Sequence, residues 1–121
     1  MFVKSISWIE ESSREAEVEV SDGVFGLICF SCPCNYSEGD AVTEKLECLD
    51  AKKIKVAKEG EYFIEKGEGY FSYKICGKIE DAKGGIIKLG DIELHIDSSK
   101  IPKDIYENQY IVFETSRIDM W

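Results

Sequence analysis

The stretch Glu15-Ala16-Glu17-Val18-Glu19-Val20-Ser21-Asp22-Gly23-Val24-Phe25-Gly26-Leu27-Ile28-Cys29-Phe30 reads as two alternating strands around a turn. Asp-Gly suits a tight type I′ hairpin, because Gly accepts the positive φ that such a turn needs. A two-residue loop at Asp22-Gly23 sets Val20 against Phe25, Val18 against Leu27 and Ala16 against Cys29. Glu17 and Glu19 then point to the opposite face. A second hairpin follows the same logic. Gly90-Asp91 joins Ile86–Leu89 to Ile92–Asp97, which pairs Leu89 with Ile92, Ile87 with Leu94 and Lys88 with Glu93. Where turn chemistry and apolar alternation agree twice, the scaffold is all-β.

Working outward, Phe2–Ile9 alternates like a first strand, and Glu10–Arg14 is a polar connector. Ser31–Asp40 is a long loop carrying Cys32-Pro33-Cys34. Val42–Val56 reads as strand broken near Asp50-Ala51, or as a short helix over Val42–Leu49 followed by strand. Tyr62–Ile64 is a short strand. Tyr70–Asp81 is a long one, with Phe71, Tyr73, Ile75 and Ile79 toward the core. Ser98–Asn108 is a second long loop, and Tyr110–Phe113 is apolar on both faces, as a central strand is. The expectation is a single domain over residues 1–121. Seven to nine short antiparallel strands with little helix would form a small Greek-key barrel or a related β-sandwich.

From Tyr73-Lys74-Ile75-Cys76-Gly77-Lys78-Ile79 onward, a Gly-containing strand, a tight hairpin and a Pro-led connector into Tyr110–Asp119 resemble the layout of an OB-like Greek-key barrel. The resemblance covers about the last third of the chain. Asn108 stands where such connectors often carry Gly.

Net charge is −9. That opposes binding to nucleic acid, whose affinity comes mainly from Lys and Arg on phosphates. It favours fast association with a basic partner. No apolar run has the length of a membrane helix. The N-terminus has no basic region followed by an apolar block, so a cytoplasmic protein is expected. Five cysteines is an odd count, consistent with reduced thiols.

Catalytic chemistry is sparse. Cys29, Cys32, Cys34 and Cys48 could supply a zinc site only by converging, since a second C-x-x-C is missing and Cys29 already has a packing role. No metal or other cofactor is expected. His95, the only histidine, faces Ile86 beside Glu93 and Asp97 and reads as a surface residue rather than a general base. Gly67-Glu68-Gly69 precedes a strand, so it offers no helix N-terminus to an anion. The chain is therefore expected to be a binding protein and not an enzyme. In size, charge and catalytic poverty it resembles the bacterial immunity proteins that block secreted nuclease toxins. That resemblance implies a basic partner, docked by carboxylates that stand in for phosphate. The expected contacts are Glu15, Glu17, Glu19, Asp22, Tyr36 and Trp121. The alternative is an OB-type module for nucleic acid or oligosaccharide, which basic residues clustered on one face would favour. A free edge strand could also pair two copies.

Overall fold

A computed structural model describes residues 1–121 throughout. Its strands are β1 (Phe2–Glu10), β2 (Glu15–Ser21), β3 (Gly26–Ser31), β4 (Leu46–Leu49), β5 (Lys52–Val56), β6 (Phe63–Lys66), β7 (Tyr73–Asp81), β8 (Ile86–Leu89), β9 (Ile92–His95), β10 (Tyr110–Thr115) and β11 (Arg117–Asp119). They form one open mixed sheet in the order β1-β2-β3-β11-β4-β9-β8-β7-β10-β5, with β6 added on β7. The all-β reading holds. The only helical element is a 3-10 turn at Ser98–Lys100, and the helix alternative over Val42–Leu49 is not taken.

Three features correct the sequence reading. The strands number eleven, not seven to nine. Several span only three to five residues, too short for periodicity to register. The sheet is also not wholly antiparallel. β11 returns to lie between β3 and β4, parallel to β3, and β4 runs parallel to β9. Finally, Tyr70–Ser72 lie in a turn before β7, so Phe71 is half-buried outside the core instead of inside it.

The first hairpin keeps its faces but shifts its register by two residues. Val20 pairs with Leu27 and Val18 with Cys29, leaving a four-residue connection, Asp22–Phe25. Asp22 explains the shift. Its Oδ1 accepts from the backbone N–H of Val24 at 2.9 Å and of Phe25 at 2.8 Å. Its own N–H donates to the Phe25 carbonyl at 3.1 Å. A carboxylate that satisfies the wider turn outcompetes the tight one. Because the shift is even, every side chain keeps its face. The second hairpin has the expected register, with Gly90 at φ 55°. Asn108 takes φ 71°, so it does the work of the Gly it replaces.

The sheet curls around a single cluster of 25 buried residues. Side chains link β3 and its turn to β7 and to the segment before β6. The Ile28 N–H donates to the Tyr73 hydroxyl at 2.8 Å, and Phe25 meets Tyr62 with ring centroids 6.5 Å apart. Asp22 ties the two hairpin turns together, because its Oδ2 accepts from the Asp91 N–H at 3.0 Å. Burial works against the Asp22 carboxylate, but the N–H donors of Phe25, Asp91 and Val24 outweigh it and lower its pKa. A folded-state pKa below the unfolded one gives stability above the ordinary carboxylate range. That stability is lost as pH falls through the lowered value. Asp22→Ala is expected to speed amide exchange at Val24, Phe25 and Asp91 together, measured by hydrogen–deuterium exchange; exchange at only one turn would refute the tie.

Candidate protein-docking face

One line of register crosses seven strands. Ser7 lies opposite Glu17, Glu17 opposite Phe30, Phe30 opposite Asp119, Asp119 opposite Glu47, Glu47 opposite His95 and His95 opposite Ile86. Sequence neighbours of these residues, Val18, Cys29, Ile118, Cys48 and Leu94, are all buried in the core. Side chains alternate across a sheet, so this line is the outward face. From Glu17 to His95 it covers about 19 Å at the usual strand spacing.

Its first half is acidic and aromatic. Glu15, Glu17 and Glu19 stand half-exposed along β2. Lys4 reaches Glu19 at 3.8 Å and the Ser5 hydroxyl donates to it at 3.1 Å. Phe30 and Phe71 meet edge to face at 6.0 Å, and Tyr70 meets Phe71 at 4.8 Å. The Tyr70 ring is 73% exposed. The Glu17 carboxylate acts to raise the Tyr70 pKa. A recess of about 440 Å³ opens here, lined by Glu17, Ile28, Glu68 and Tyr70 among others. Lys66 also borders it, but its ammonium is held by the carbonyls of Gly69, Tyr70 and Ser72. In the middle of the face, Arg117 forks onto Asp119 at 2.6 and 2.9 Å and covers the Phe30 ring at 4.3 Å. Asp119 is thereby neutralised, while Glu15 and Glu17 have no salt-bridge partner.

The second half is a cleft of about 550 Å³ lined by Glu44, Lys45, Glu47, Gly84, His95 and Trp121. His95 Nδ1 meets Glu47 Oε2 at 2.5 Å. The sequence reading set His95 beside Glu93 and Asp97; its partner comes instead from β4, through a parallel pairing. Such a pair can hold or move a proton, but the cleft lining includes no hydroxyl or thiol to serve as nucleophile.

The six expected contacts separate into three places. Glu15, Glu17 and Glu19 form the acidic row. Trp121 is 72% exposed beside His95, and its carbonyl accepts from the Tyr36 hydroxyl at 3.0 Å. Asp22 lies at the hairpin turns with both carboxylate oxygens engaged by backbone N–H groups, and it holds the two turns together. Phe30 escaped the sequence reading, although the outward parity beside Cys29 marked it. Phe71, Glu47 and Arg117 carried no such signal.

Cys29, Cys34 and Cys48 share the apolar core. Cys29, Cys34, Cys48 and Cys76 are buried, Cys32 is exposed, and all five are free. Burial pushes the Cys29 and Cys48 thiols up, and that of Cys76 to about 11, which keeps them protonated. No group of three or more His, Cys, Asp or Glu side chains is arranged to hold a metal ion. Lysines do converge, as Lys52, Lys53, Lys66 and Lys74 around a groove of about 740 Å³. Glu65, Glu68 and Glu114 line the same groove, and Lys53 pairs with Glu114 at 3.4 Å. No helix is long and apolar enough to cross a membrane. No protein-family model, curated protein or solved structure matches the chain.

Proposed function

We propose that this chain is a non-enzymatic binding protein that docks a basic protein on the outward face of β1, β2 and β3. The observation that carries the reading is the row Glu15, Glu17 and Glu19 set against the exposed Tyr70 and the half-buried Phe30 and Phe71 packed with it. The carboxylates supply long-range attraction and the rings supply a desolvated anchor. An Arg or Lys of the partner entering the recess would meet Glu17 and the Tyr70 ring together. In its sharpest form the protein is an inhibitor of the immunity type. It would cover the basic cleft of a nuclease-like toxin with carboxylates in the place of phosphates. Five free cysteines fit action in the cytoplasm. The OB-type reading finds lysines around one groove, but interleaved carboxylates cancel the uncompensated basic track that nucleic acid needs.

The test begins with recovery of the tagged protein from its native cells, read by mass spectrometry for protein and for co-purifying nucleic acid. A basic protein at near-equal stoichiometry is expected. Reversal of Glu15, Glu17 and Glu19 to Lys should then slow association by at least about tenfold at low salt and flatten its salt dependence. Thermal stability should hardly change. An unchanged on-rate would remove the electrostatic docking mechanism, and recovered nucleic acid would favour the OB-type module.

A further inference from the structure

The main path of the sheet ends in β1 and β5, and β6, added on β7, is a third strand with one neighbour. The two path ends contrast. β5 carries Lys52, Lys53 and Lys55, all exposed, and charged side chains of this kind keep a sheet edge from pairing. β1 is covered only at its start. Phe2 bridges Ala41, the Val3 N–H donates to the Asp40 carbonyl at 2.8 Å, and the Gly39 N–H donates to the Val3 carbonyl at 2.8 Å. From Ser5 to Ile9 the outer edge has no backbone partner. The same stretch exposes Trp8 at 40% and Ile9 at 49%.

We infer that a second copy of this chain pairs with this open edge, antiparallel and centred on Ser7. The sequence of the edge is complementary to itself under that two-fold axis. Ser7 meets Ser7 of the second copy, Ile6 meets Trp8, Ser5 meets Ile9, and Lys4 meets Glu10. Ile6 and Trp8 thus oppose one another on either side of the axis, and opposite charges close both ends. The stretch from Ser5 to Ile9 is about 17 Å of strand. Register shifts against β2 fall at Lys4 and Ile9 and bracket a regular run between them. Lys4 already lies 3.8 Å from Glu19 of its own chain, but its side chain is 62% exposed and such surface pairs exchange readily. Pairing here is independent of the docking reading, because it uses the edge of β1 and leaves the Phe30–Phe71–Tyr70 cluster open. It would join the outward faces of both copies into one continuous sheet with two rows of glutamates.

Sedimentation velocity of the full chain over a wide concentration range tests the pairing. A reversible monomer–dimer equilibrium is expected. Trp8→Lys gives β1 the lysine guard that β5 already has, and should weaken the dimer at least about tenfold. Ile9→Lys, at a more exposed position, serves the same purpose should Trp8→Lys fail to fold. Ser7→Cys in a Cys32→Ser background should yield a covalent dimer on mild oxidation, because facing residues in an antiparallel pair stand within disulfide reach. A monomer at every concentration, a dimer indifferent to both lysine variants, or a Ser7→Cys chain that stays monomeric would each overturn the inference. Cross-linking of Cys at position 7 to a foreign strand instead would assign the edge to another protein.

Discussion

Val18→Glu is expected to leave the chain unfolded, while Glu17→Val, one residue away, leaves it folded. Val18 is fully buried, opposite Ile6 on one side and Cys29 on the other. A carboxylate there would enter a cluster made of apolar side chains and cysteines, with no basic group in it. An ionised group in that position costs several kcal/mol even after relaxation. Protonation lowers that cost but leaves an acid without hydrogen-bond partners, and the lost packing of Val18 adds to it. A domain of this size is stable by only about 5–15 kcal/mol, so one such change consumes most of its margin. Glu17 sits on the opposite face, half-exposed beside Phe30 and Tyr70. Valine suits a strand and would extend that apolar cluster. The expected result is loss of the native circular dichroism signal and of dispersed amide resonances in Val18→Glu, against a native spectrum for Glu17→Val. A folded Val18→Glu would mean that the face assignment of β2, and with it the whole outward line, is wrong.

That contrast also shows what the residues reveal on their own. Period-two alternation settles which way Val18 and Glu17 point, and it survives a two-residue error in register because both registers share one parity. The second hairpin is legible to the pair, since nothing competes with Gly90-Asp91. The first is not, because the deciding contact is the Asp22 carboxylate reaching Phe25, Val24 and the remote Asp91. Pairings between strands remote in sequence, two of them parallel, are the deeper difficulty. β4 meets β9, and β11 meets both β3 and β4, across separations of tens of residues, and no local turn announces such pairings. Hence Glu15, Glu17 and Glu19 could be read as a row, but not their alignment with Asp119, Glu47 and His95. His95 was visible as a lone histidine; its contact with Glu47 is a product of topology alone.

Gly77→Val is expected to collapse the packing of the β8–β9 hairpin and to remove most of the stability of the fold. Gly77 lies inside β7, between the segment that pairs with β6 and the segment that pairs with β8. A Cβ at this position would stand 2.6 Å from Leu89 Cδ1, 2.8 Å from Ile87 Cγ2 and 3.0 Å from the Lys88 carbonyl oxygen. The two side chains are fully buried and the carbonyl belongs to β8, so none of the three can retreat cheaply. Glycine is required here for close approach of two strands, not for its backbone freedom. Overpacking by a single methyl costs about 1–3 kcal/mol, which lowers the melting temperature of a domain this size by roughly 5–15 °C. Valine adds two further methyls to the same space, so Gly77→Ala should melt early and Gly77→Val should be largely unfolded. Gly26→Ala is the matched control. A Cβ there meets nothing closer than 3.6 Å, so its melting point should stay near that of the parent. The hairpin displaced in Gly77→Ala carries His95 on β9. Loss of the His95–Glu47 contact, followed through the imidazole resonances, should therefore accompany the early melt. An unaltered histidine environment in a destabilised Gly77→Ala would mean that β7 yields to the new methyl and the hairpin does not.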